Sequence, residues 1–281
     1  MTRITSDHRR TFRSSTVFTR RWHASAPTRG GTLAAVSRSY QVEAVVLRSL
    51  RYGEADRILH VYSAQRGRLG LIAKGVRRTR SRFGGRLEPF SQVSLELHEG
   101  RGDLQTVTGV DVLASHHGVR EHPRLGQVAS AGGETLLRLF AEGDPAPRAF
   151  EAFSRFLEAL VERPVELGDP ALDAALLSLQ LKLHWVAGFA PRLTACAVCG
   201  RSEPLMRFSA AAGGGICASC PGGQALPARA FDAMRELLAA SIAQAPRLEL
   251  SDAAAVARAI ADLNAEHGGF RLRSLAVSGA R

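Results

Sequence analysis

Between residues 40 and 115, apolar and polar positions alternate in short runs broken by glycine-bearing turns. YQVEAVVLRSL is β-branched and partly alternating, RILHVYS follows the turn RYGEAD, and RLGLIAKG follows QRG. VSLELHEG and LQTVTGVDVL come later, separated by a turn at 100–103. A period of two bounded by turn residues predicts strands. Beyond residue 126 the period changes to that of helices. QVASAGGETLLRLFAE predicts a helix over 127–142. A second runs over 148–162, with Phe150, Phe153, Phe156, Leu157 and Leu160 on one face and Pro164 stopping it. Asp169 followed by Pro170 reads as a cap and first helical residue. The stripe Leu172, Leu176, Leu179, Leu183 and Val186, widened by Leu177 and Leu181, predicts a central helix in which His184 and Trp185 serve packing. Further helices are expected over 227–243 and 251–268, the latter closed by glycine.

Five short strands followed by helices give an α+β chain with three parts. Residues 1–39 lack any apolar period and read as a disordered, dispensable basic extension. Its Arg-rich, acid-poor composition also suits an organellar transit peptide, a basic arm for DNA, or translation assigned from too far upstream. It has no apolar h-region, so secretion is not expected. Residues 40–115 fit an OB-fold barrel, with an SH3-like barrel as the alternative that periodicity does not separate. Residues 116–281 form a helical domain whose first stretch, HHGVREHPRLG, reads as a solvated linker. Its His116, His117 and His122 are read as solvated linker residues rather than metal ligands.

The charge is uneven. The net charge is +11, and Lys74 and Lys182 are the only lysines. Residues 1–39 hold eight Arg against one acid, residues 40–115 twelve Lys/Arg against eight acids, and the remainder is balanced. The positive field therefore belongs to the extension and the strand-rich part. Its densest point is AKGVRRTRSRFGGRLEPF, with Lys74, Arg77, Arg78, Arg80, Arg82 and Arg86 and no acid before Glu88. A cationic hairpin loop on a sheet suits polynucleotide, because guanidinium forks match phosphate oxygens. Such contacts neutralise the backbone without reading bases, so binding is expected to weaken steeply with salt. Tyr52, Tyr62, Phe83 and Phe90 are stacking candidates set against a role in the barrel core, and Phe83 inside the loop is the one expected to be exposed.

The four cysteines fall as Cys196-Ala-Val-Cys199-Gly200 and Cys217-Ala-Ser-Cys220. Two knuckles of C-x2-C type joined by a short ribbon bring four thiolates to one ion. That predicts a zinc module at 194–222 holding a single structural zinc. With four thiolates bound, no coordination position is left for chemistry by the metal.

YQVEAVVLRSLRYGEADRIL, AKGVRRTRSRFGGRLEPF and the LTACAVCG…GGGICASC quartet, in this order, resemble the bacterial RecO family of DNA repair and recombination mediators. The resemblance covers residue 40 to the end; the N-terminal extension departs from it. It implies an OB-fold, a helical domain and a zinc module. It also implies binding to single- and double-stranded DNA, annealing of complementary strands, and partnership with RecR and single-stranded-DNA-binding protein, so that RecA loads onto gaps. A cytoplasmic, nucleoid-associated location follows, with no membrane and no small-molecule substrate.

Two rival readings are weighed against it. The chain has no P-loop, HExxH or GxSxG motif, and Glu54 and Asp56 beside Arg57 read as a turn with salt links rather than a nuclease pair. No enzyme activity is expected. The other rival is a zinc-ribbon adaptor that binds only proteins and leaves the basic loop idle.

Overall fold

The computed structural model describes residues 39–99, 102–163 and 168–275. The expected extension lies outside them except for Ser39, which begins the first strand.

The five strands are β1 (Ser39–Tyr52), β2 (Asp56–Ser63), β3 (Gly67–Ala73), β4 (Gln92–His98) and β5 (Gln105–Ala114). They close into a barrel in the order β1-β2-β3-β5-β4. β1 is long enough to serve two neighbours. Its first half pairs with β4 from Ser39↔His98 to Val45↔Gln92, and its second half with β2 from Ala44↔Ser63 to Tyr52↔Asp56. β3 and β5 close the gap in parallel through Leu71↔Gln105 and Ile72↔Thr106. This is the Greek-key closure of an OB-fold. Alternation decides the core: Val42, Ala44, Val46, Leu59, Val61, Leu69, Leu71, Leu95 and Leu97 point inward. Val45, Leu47 and Tyr62 point outward and are nevertheless buried, because helices cover that part of the barrel.

The helices are α1 (His117–Glu121), α2 (Pro123–Leu139), α3 (Pro147–Glu162), α4 (Ala174–Val186), α5 (Ala228–Ala239) and α6 (Leu250–Gly268). α4 is the spine. Leu176, Leu179 and Leu183 pack with α2 and α3, while Leu177 and Leu181 pack with α5 and α6. Each such buried leucine contributes roughly 1.5–3 kcal/mol. Gly132 of α2 allows the close approach, since a Cβ there would stand 2.8 Å from both Leu179 and Phe156.

Four expectations need correction. The linker at 116–126 is helical: Pro123 starts α2 at a first-turn position, and Val119 and Leu125 are buried. Asp169 caps only a 3-10 turn at Pro170–Leu172; the long helix is capped by Asp173, whose Oδ1 accepts from the N–H groups of Ala175 and Leu176. The helix expected to run to 243 ends at Ala239, followed by a 3-10 turn at Ile242–Gln244. Trp185 is exposed rather than packed, whereas His184 is buried against Asn264 at 2.9 Å. Among the described residues no helix is long and apolar enough to cross a membrane.

Candidate nucleic-acid interface and metal centre

The basic stretch connects β3 to β4, which are not neighbours in the barrel. It is therefore not the expected hairpin but a crossover that folds over the barrel core. Phe83 and Leu87 enter that core and are 2% and 1% exposed. Phe90 closes the segment by packing into the helical core. The expectation that Phe83 is exposed is thus overturned. A five-stranded barrel must fill its own interior, and the aromatic ring inside the loop is what fills it, with the Arg82 guanidinium 4.8 Å above its centroid.

The apolar anchors leave the cations outside. Lys74, Arg77, Arg78, Arg80, Arg82 and Arg86 are all exposed. None of them makes an ion pair among the described residues; Arg77 instead donates to the carbonyl oxygens of Glu54 and Gly53, at 3.0 and 3.5 Å. The supporting turn is fixed by Asp56, whose Oδ1 accepts the Gly75 N–H at 2.7 Å. Arg57 pairs not with Glu54 or Asp56 but with Glu88, at 3.1 Å across the loop. The expected turn salt links are therefore replaced by a clasp that holds the loop against β2. Of the other aromatics, Tyr62 is fully buried, its hydroxyl pushed up to about 12 by desolvation, and Phe90 is 5% exposed. Tyr52 is 53% exposed.

Cys217 ends β7 of a small sheet made of β6 (Leu205–Ser209), β7 (Gly214–Cys217) and β8 (Gln224–Ala225), and the other three cysteines lie in loops and turns outside the strands. The first knuckle turns at Gly200, φ 75°, whose N–H donates to the Cys196 carbonyl at 2.9 Å. Gly214 gives way to Arg192, whose backbone oxygen would stand 2.3 Å from a Cβ there. The result brings the sulfurs of Cys196, Cys199, Cys217 and Cys220 within 4.8 Å of one another. Cys196 and Cys217 are fully buried.

N–H groups of Cys199 and Cys217 hold the Cys196 thiol down to about 6, and Arg201 lowers Cys199. The neighbouring Cys199 sulfur, with burial, pushes Cys220 up to about 12. Sulfurs that oppose one another in this way need a cation before all can be thiolates, and a tetrahedral four-sulfur set suits zinc or iron. Arg207 braces the second knuckle: its guanidinium donates to the carbonyls of Cys217 and Ala218, at 3.2 and 3.3 Å, and to that of Cys220.

The family model described as recombination protein O N terminal matches residues 37–116, and recombination protein O C terminal matches residues 126–276. A protein named DNA repair protein RecO from Rubrobacter xylanophilus is 43% identical over 214 residues, covering 73% of this chain and 83% of its own. Similarly named proteins from Bifidobacterium animalis and an Anaeromyxobacter are 40% and 39% identical over 201 and 184 residues. They cover 70% and 64% of this chain, and 82% and 69% of their own.

Proposed function

The chain belongs to the RecO family, and we propose on that premise that it is a non-catalytic mediator of DNA repair and homologous recombination. In this reading it binds single- and double-stranded DNA, anneals complementary strands, and acts with RecR to load RecA where single-stranded-DNA-binding protein covers a gap. Its place is the cytoplasm, at the nucleoid. The observation that carries the reading is the construction of the crossover loop. Buried Phe83 and Leu87 pin it to the barrel, while six cations stand in solvent with no carboxylate of their own. Unpaired guanidinium groups on a rigid base need no internal ion pair to break before they meet phosphate. Two strands held on one cationic surface lose their mutual repulsion, which is the physical basis for annealing.

For the cysteine quartet we propose one structural zinc, held by Cys196, Cys199, Cys217 and Cys220. A zinc–sulfur bond of about 2.3 Å places tetrahedral sulfurs about 3.8 Å apart. Cys199 and Cys217 lie at 3.8 Å. Zinc bound there supplies cross-linking of the two knuckles and no reactive position. A protein partner is supported by a groove of about 740 Å³ between α3, α4 and the turn after α5. Its wall carries exposed Trp185 and a balanced set of charges, Arg148, Arg155 and Lys182 against Glu151, Glu158 and Glu162.

Annealing of complementary labelled oligonucleotides tests the proposal. The protein is expected to accelerate duplex formation at low salt and to lose that effect as salt rises; no acceleration at any salt contradicts it.

A further inference from the structure

The bulge in β1 has a chemical consequence away from the basic loop. The register with β2 shifts between Val46 and Arg48, so Leu47 and Arg48 share the position opposite His60. A bulge re-aims side chains in this way. Leu47 is buried against the helices, and Arg48 stays exposed in a cleft of about 800 Å³ between the barrel and α2. Arg68 of β3, Arg138 of α2 and Arg273 complete its basic wall. The acid on the lining is Glu134, and its carboxylate is engaged by the backbone N–H groups of Arg273 and Ser274, at 3.0 and 2.9 Å. Arg68 is partly used, donating to Leu137 O at 3.1 Å and pairing with Glu142 at 3.4 Å. Arg48 and Arg138 make no ion pair among the described residues. Desolvation first, and then Arg48 and Arg68 beside it, hold the His60 imidazole below its ordinary value against the opposing pull of Glu142.

The cleft is joined to the loop by an unusual strip. Arg48, Leu50 and Tyr52 face the same side of β1, opposite His60, Ile58 and Asp56, at steps of about 6.8 Å per residue pair. Leu50 and Tyr52 are 43% and 53% exposed. Past Tyr52, the carbonyls of Gly53 and Glu54 hold Arg77 of the loop. The order along the surface is cations, an apolar shelf with an aromatic ring, then cations again. Phosphates need the two ends, and bases have faces that suit the middle.

We propose that this strip is the path of one DNA strand, with Arg48 and Arg138 holding its phosphates in the cleft and Tyr52 stacking a base between cleft and loop. The inference rests on the reading that the chain binds DNA through the loop, and it adds a second anchorage.

Anisotropy titrations of labelled oligo-dT against salt test it with the full chain, R48Q/R138Q and Y52A, beside the loop variant R77E/R78E/R80E. Each phosphate contact on a single strand contributes about 0.7 to the slope of log affinity against log salt. R48Q/R138Q is therefore expected to flatten that slope by about 1.4. Y52A is expected to weaken binding roughly 5- to 150-fold with the slope unchanged. Photo-crosslinking of iodouracil-substituted oligonucleotide to the unaltered protein is expected to mark Tyr52, which keeps the test independent of how any variant folds. An unchanged slope in R48Q/R138Q, with binding lost in the loop variant, overturns the cleft and leaves the loop reading standing. Unchanged binding in every variant overturns both. Competition by pyrophosphate as strong as by oligonucleotide makes the cleft a small-anion site and overturns the strand path.

Discussion

Nδ1 of His116 lies 2.8 Å from the carbonyl oxygen of Phe90, and these two are the non-glycine residues with positive φ among the described residues, at 42° and 67°. Phe90 ends the basic crossover and His116 starts the helical part, so two strained residues are tied to each other where barrel and helices meet. The Phe90 N–H also donates to the Val46 carbonyl at 2.6 Å, and its ring packs in the helical core. Left-handed backbone costs a non-glycine residue roughly 1–3 kcal/mol, and it persists here because these contacts over-determine it.

Removing one partner exposes that balance. H116A leaves a buried carbonyl without its ring nitrogen, a loss of about 1–3 kcal/mol. The thermal midpoint is expected to fall by several degrees in calorimetry, while H116N, which tolerates the left-handed region, recovers part of it. An unchanged midpoint in H116A means the contact does not hold the joint.

Phe83 separates a structural ring from a binding one. F83A empties a filled barrel and is expected to cost about 3–5 kcal/mol in urea unfolding. Leu87 and the Arg57–Glu88 pair still anchor the loop, so oligonucleotide affinity of the fraction that remains folded should fall far less than on charge reversal of the loop. Loss of affinity without loss of stability would return Phe83 to the interface.

The reason Phe83 was misjudged lies in what sequence pattern records. Alternation identifies Leu59 and Val61 as inward because their neighbours His60 and Tyr62 point the other way, and this made the barrel legible. A crossover has no period, so nothing in AKGVRRTRSRFGGRLEPF distinguishes a ring pointing to solvent from one filling the barrel. The cysteine quartet was legible because spacing alone constrains it. The cleft around Arg48 was not: Arg48, Arg138 and Arg273 are far apart in the chain, and the bulge that turns Arg48 outward leaves no mark in composition. His116 was hidden for the same reason, since its partner lies 26 residues away.

The metal centre predicts its own contents. Elemental analysis is expected to find one zinc and no iron per chain. Thiolates must be deprotonated to bind, so protons compete and metal is lost as pH falls. C196S is expected to lose zinc and to speed hydrogen exchange in β6, β7 and α5, while oligonucleotide binding survives. Full protection without metal contradicts a structural ion.

Glu134 supplies a second pH dependence. Burial alone raises a carboxyl, but the N–H groups of Ser274 and Arg273, the Ser274 hydroxyl and nearby Arg138 outweigh it and hold Glu134 below its ordinary value of 4.5. A lowered folded value means that the stabilisation is full above 4.5 and is lost as pH falls through the folded value. Protection of the Arg273 and Ser274 amides, taken as exchange relative to the intrinsic rate at each pH, should therefore fall in acid, and in E134Q at neutral pH. Equal protection in E134Q and the unaltered chain removes the clasp.

Charge reversal of the crossover is the most direct test of the central claim, that exposed cations pinned to the barrel grip polynucleotide by charge. Single- and double-stranded DNA are titrated with R77E/R78E/R80E and with the unaltered chain over a range of salt. The account predicts that the unaltered chain binds both forms with steep salt dependence and that the variant, equally stable to heat, binds neither. Undiminished affinity of a folded variant for either form contradicts it.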